Sequence, residues 1–296
     1  MLKKLLYLVL LLIAIPLLAY VMGLYQNNRD LPRPSAELMQ QRLERSTQWL
    51  LNNETEILQQ ANPMLWWMLY EVEKLTHDTR ISGLLARYQQ RYPRIQESVW
   101  SPLFGAVPRG YLAGYSVDGL PYYNQHFIYA LNCAADIADD IPVVAQQNQA
   151  GFCHQPGYIY RPACTTHQLM GINFLATKHC GLLPHIDEVV RSLQNDIKLQ
   201  LTLDIRVVDV YLQRVLMLLI TGAEQEVKAV WIQQVLDHQL ADGGWGDFVS
   251  LVPISGEKSL GFSSKVISMG KEKSSFHATA QGVLILSTLL KNEVRR

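Results

Sequence analysis

Apolar residues recur at helical spacing along most of the chain, and no alternating run of convincing strand length interrupts them. The first stretch, residues 5–25, carries no charge at all. Its roughly 21 residues are the length a helix needs to cross a hydrocarbon core. A helix is predicted next from Ser35-Ala36-Glu37-Leu38, where serine caps the first turn, to about Asn52-Asn53. Pro63 opens a second helix with apolar residues on most sides, Met64, Leu65, Trp66, Trp67, Leu69, Val72 and Leu75. The same alternation of an amphipathic helix and a more apolar one returns at residues 81–92, 189–199 and 227–240. The apolar partners begin near Met64, Tyr123, Thr165, Asp204 and Phe276. Spacings of roughly 40 to 70 residues suit helical hairpins repeated with variable loops. The pattern predicts an all-α fold: a transmembrane signal anchor over 1–25, a polar, proline-containing spacer over 26–34 and a helical domain over 35–296.

A polar residue recurs early in four of these apolar helices: Gln125-His126, Thr166-His167-Gln168, Asp209-Val210-Tyr211 and His277-Ala278-Thr279. If the apolar helices form an inner ring, these positions gather at one mouth. His126, His167 and His277 with Asp209 and Tyr211 are therefore the expected catalytic cluster, able to exchange protons near neutral pH. His277 leads, because it starts a helix directly after a long loop. The plainer reading of each is a hydrogen-bonded core group. Long connections at 92–122 and 247–275 are expected to cover the mouth. Tyr115, Tyr122 and Tyr123, beside the first, are candidates to line a groove for sugars or peptide, with ordinary packing as the alternative.

Composition narrows the partners. Lys plus Arg and Asp plus Glu number 26 each, and no basic stripe with interleaved aromatics appears, so nucleic acid is not an expected partner. Lys3 and Lys4 precede the apolar stretch, which favours a cytoplasmic N-terminus and places the remainder outside an inner, cytoplasmic-type membrane, in the periplasm or beyond. The absence of a small-x-small site at its end favours an uncleaved anchor over a signal peptide. Of three possible pairings for the four cysteines, Cys153 with Cys164 and Cys133 with Cys180 is preferred in an oxidising compartment. Buried free thiols fit the reverse topology. Zinc held by Cys153-His154, Cys164-x-x-His167 and His179-Cys180 is the second alternative, with a spacing that fits no standard finger. No cofactor motif is present, and the P-loop, Rossmann, Gly-x-Ser-x-Gly and His-Glu-x-x-His signatures are all missing.

One segment carries a resemblance. Lys228-Ala229-Val230-Trp231-Ile232, followed by Gln239-Leu240-Ala241-Asp242-Gly243-Gly244-Trp245-Gly246, resembles the QW repeat of the α/α-toroid superfamily that includes squalene-type cyclases and prenyltransferase β subunits. The resemblance implies a ring of helical hairpins in which a glycine ends the helix, Gln239 bonds backbone groups left free there, and Trp245 packs beneath the turn. It implies no particular chemistry. The acidic motif of the cyclases and the zinc set of the prenyltransferases have no counterpart, and Asp136-x-x-Asp139-Asp140 reads as a solvated helix end. The expectation is a membrane-anchored toroid that acts on an envelope glycan or lipid-linked substrate. The alternative is a non-catalytic envelope protein that binds a peptide, lipid or partner protein.

Overall fold

The structure is a computed structural model that describes residues 2–111, 114–153, 160–256, 258–265 and 267–294, without the side chains of residues 2, 5, 6, 8 and 9. Its α-helices are α1 Leu2–Asn28, α2 Ala36–Asn52, α3 Glu54–Ile57, α4 Pro63–Thr76, α5 Thr79–Arg91, α6 Tyr122–Asn132 and α7 Ala135–Asp140. They continue as α8 Pro142–Gln146, α9 Cys164–Thr177, α10 Ile186–Leu203, α11 Asp209–Ile220, α12 Ala229–Asp237 and α13 Phe276–Glu293. The caps follow local chemistry: Ser35 and Ser275 accept from the amides of Leu38 and Ala278, and Pro63 occupies the first turn of α4.

Five helices with buried residues on most sides form the centre. α4 packs on α13, α13 on α11, α11 on α9 and α9 on α6. Trp67 of α4 meets Phe174 of α9 edge to face at 5.3 Å between ring centroids, and Phe127 of α6 meets the same ring at 5.8 Å. The more amphipathic α2, α5, α10 and α12 lie outside, against α13, α4, α9 and α11. This division follows from sequence, since only a helix apolar on most sides can be buried on most sides.

The all-α expectation needs correction at residues 248–270. They form an antiparallel meander of β1 Phe248–Ser255, β2 Lys258–Ser263 and β3 Ile267–Gly270, in that order. The strands are short, and irregularities between Ser250 and Val252 and between Pro253 and Ser255 break the alternation that would reveal β1. Phe248 lies against Gly261 and Gly270, where a Cβ at Gly261 would come 2.5 Å from its ring.

α1 is long and apolar enough to cross a membrane, with a mean hydropathy of 1.7 over Leu10–Asn28 and little of it buried. Gln26-Asn27-Asn28, expected in a spacer, instead complete its last turn. Asn27 and Asn28 are bolted to the domain. Asn27 donates to the Leu201 carbonyl and accepts from the Tyr211 hydroxyl at 2.8 Å, while Asn28 donates to the Thr202 carbonyl at 2.9 Å. Further down, the Tyr20 hydroxyl donates to the Leu203 carbonyl at 3.0 Å.

The QW-like turn is a structural staple. Gln239 donates to the carbonyls of Arg42 (2.8 Å) and Gly243 (2.9 Å), Gly243 has φ of 99°, and the buried Trp245 indole donates to the Val235 carbonyl at 2.7 Å. Both expected disulfides are present. Cys133–Cys180 joins the end of α6 to the turn after α9, and Cys153–Cys164 ties the segment after α8 to the first residue of α9.

Candidate functional site

The N-terminal halves of α4, α6, α9, α11 and α13 surround a cavity of about 320 Å³. Trp67, Tyr123, Phe127 and several methionines and leucines give it apolar walls; Asn62, Asn124, Gln213 and Gln281 supply amides, and His167 and His277 supply imidazoles. A larger cavity of about 440 Å³ lies among the C-terminal halves of the same helices. Its cations already have partners, Lys74 with Glu71 at 3.0 Å and Lys178 with the Pro102 carbonyl at 2.6 Å. The first cavity holds the unspent chemistry.

His277 sits on the first turn of α13, and its Nδ1 lies 3.6 Å from Oδ2 of Asp209 at the start of α11. On the far side of the ring, Gln281 one turn along donates from Nε2 to Nε2 of His277 at 3.0 Å. A hydrogen on Nδ1, directed at the carboxylate, with Nε2 accepting from Gln281, fits both contacts. The buried Oε1 of Gln281 has no hydrogen-bond partner among the described residues.

Asp209 is an ionised carboxylate. Burial opposes its charge, but hydrogen bonding to His277 and to the Ser264 hydroxyl outweighs that cost and holds its pKa below the usual range. The carboxylate stands between serine and imidazole, so Ser264 is not activated by His277, and a serine-nucleophile relay is excluded here. His167 stacks on Tyr123 at 4.3 Å between centroids and meets Phe127 edge-on. Desolvation by this apolar wall, with a smaller push from His277, lowers its pKa to about 4, so it is neutral at neutral pH. It can donate or accept a hydrogen bond there without adding charge.

Of the expected cluster, His277, Asp209 and His167 come together; His126 and Tyr211 do not. His126 is fully buried away from the cavity, with Nε2 3.1 Å from Asn148 Oδ1 and Nδ1 pressed toward Gly171, where a Cβ would come within 2.2 Å. Desolvation lowers its pKa to about 4. Tyr211 is fully buried against Asn27 of α1, and burial raises its pKa well above the ordinary value. Both hold the fold. Tyr123 lines the cavity, Tyr122 packs beside it on Phe152, and Tyr115 lies in the long loop, donating to the Glu97 carbonyl at 2.9 Å.

The loops also divide differently from expectation. Pro102, Leu103 and Gly105 of the 92–122 connection border the opposite cavity. Among the described residues it is the 247–275 connection that reaches the candidate site, where Asp247 and Lys273 border a cleft that shares Leu65 and His277 with it. Trp67, Gln213, Ser264 and Gln281 were not singled out from sequence. The four-residue step from His277 to Gln281 was the one legible signal among them.

The two disulfides take all four thiolates that the zinc alternative required, and His154 lies outside the described residues. Among the described residues no group of three or more His, Cys, Asp or Glu side chains is arranged to hold a metal. No family model, no curated protein and no solved structure matches this chain.

Proposed function

We propose that this chain is a single-pass protein of a bacterial-type inner membrane, anchored by α1, with its helical domain in the periplasm or outside. The cavity ringed by the five helix N-termini receives an envelope glycan or lipid-linked substrate, on which His277 acts as general base. The paired disulfides support an oxidising compartment. The order of helix packing, with five buried helices pointing their N-termini to one cavity, supports an α/α-toroid-like ring.

The observation that carries the reading is the Asp209–His277 pair opening on an amide- and aromatic-lined cavity. Its amides suit hydroxyl groups, its rings suit a sugar face, and its aliphatic and methionine walls suit a hydrocarbon. Among the described residues no Lys or Arg lines it, which disfavours a strongly anionic ligand. A binding protein without catalysis is the second reading, favoured by the contact of Gln281 with Nε2 of His277, the atom that would take a proton.

The test is incubation of the purified chain with lipid and glycan extracts of bacterial envelopes, read by mass spectrometry. Retention of a component by the native protein, and its loss in Met170→Trp, which fills the cavity, is expected. A retained component of altered mass supports the enzyme, and one retained unchanged supports the binder. Retention of nothing, or equal retention by Met170→Trp, contradicts both.

A further inference from the structure

α1 does more than tether the domain: it sets how low the domain sits. A hydrocarbon span over residues 5–25 ends about 8 Å above the level of Tyr20, at 1.5 Å per residue. Yet the Tyr20 hydroxyl already bonds the Leu203 carbonyl at 3.0 Å. At Gly23 a Cβ would lie 2.8 Å from Ile205 Cδ1, so the Ile205 side chain packs directly on the α1 backbone there. The segment from Leu203 to Ile205 therefore runs along the upper turns of the membrane helix.

The meander is rooted directly after that segment. The Arg206 guanidinium donates to the Ser264 carbonyl at 3.3 Å, in the turn between β2 and β3, and Val207 shares a small cavity with Phe248 and Val249. Cross-strand register puts Val252 opposite Leu260, Leu260 opposite Met269, and Phe262 opposite Ile267. These residues share one face of the sheet. That face is open to solvent at Val252 (55%), Ile267 (61%) and Met269 (68%), while the other face carries serines, glycines and Pro253 together with the buried Phe248. Exposed Lys258 and Lys265 flank β2 at its two ends.

We propose that this apolar sheet face inserts into the outer interfacial layer of the same bilayer that α1 crosses, with the two lysines among its anionic headgroups. The proposal rests on α1 being a membrane span. A short apolar face rimmed by cations, continuous with the helix exit, matches the chemistry of interfacial seating. The turn that roots it also carries Ser264, which bonds Asp209, so seating would hold the candidate site close to the bilayer surface.

The full chain is reconstituted into phosphatidylcholine and phosphatidylglycerol vesicles as the Met269→Cys variant. All native cysteines are in disulfides, so an environment-sensitive dye on the new thiol reports one position. The expected result is blue-shifted emission, quenched by lipids spin-labelled near the carbonyl region. Emission as in water, unquenched while the protein resists carbonate extraction, would overturn the seating and leave the anchor intact. Blue-shifted emission without lipid quenching, accompanied by self-crosslinking, would assign the face to a second copy and also overturn it. Release of the protein by carbonate would refute the anchor and the seating together.

Discussion

Oδ2 of Asp209 faces Nδ1 of His277 across 3.6 Å, while its other oxygen accepts from the Ser264 hydroxyl. Two elements distant in sequence, the α11 start and the β2–β3 turn, thus cooperate to keep one carboxylate charged. Removing the hydroxyl in Ser264→Ala should raise the Asp209 pKa, read by carbon-detected NMR titration. An unchanged titration would remove Ser264 from the site.

His126 gives the fold a pH dependence of fixed sign. In the unfolded chain it takes a proton near its ordinary value of 6.5, but in the fold not until about 4. Between those values the unfolded state binds more protons, so stability is full above about 6.5 and falls as the pH drops toward 4. A shift of that size corresponds to roughly 3 kcal/mol. Denaturant unfolding at stepped pH should show this loss, and a shallower one in His126→Gln. An identical slope in the variant would refute the assignment.

Trp245 is 1% exposed and its ring lies against Gly282, where a Cβ would come within 2.5 Å. Trp245→Ala should therefore cost roughly 3 to 5 kcal/mol, by the cavity it leaves and the lost transfer energy. Thermal unfolding measures it. A melting temperature equal to that of the native chain would mean that the turn does not depend on its tryptophan.

The disulfides close loops of different length, with sequence separations of 47 and 11 residues. Chain entropy then assigns about 4 kcal/mol to Cys133–Cys180 and about 3 kcal/mol to Cys153–Cys164. Paired serine substitutions should destabilise in that order under non-reducing unfolding. The reverse order would show that strain or residual structure outweighs loop length.

Much of this architecture was legible in the sequence because the helices obey simple periodicity. Ser35, Pro63 and Phe276 mark helix starts, and Gln239 and Trp245 perform the roles that their turn requires. The meander was not legible, since apolar and small residues alternate over only a few positions and β1 is irregular. The site was half legible. A polar residue on an apolar helix signals a buried partner but not its direction: on α6, Tyr123 and Phe127 face the cavity, whereas His126 between them turns toward Asn148. Tyr211 finds its partner in α1, a contact that local pattern does not encode.

The central claim is that His277 works rather than merely packs, and its imidazole is 42% exposed, so replacing it should leave the fold intact. The most direct measurement is turnover of an envelope extract by native chain and His277→Gln, with melting temperatures taken on the same samples. The account predicts equal melting temperatures and loss of turnover in the variant. Turnover equal to that of the native chain, or a variant that unfolds well below it, would contradict the claim and return His277 to the core.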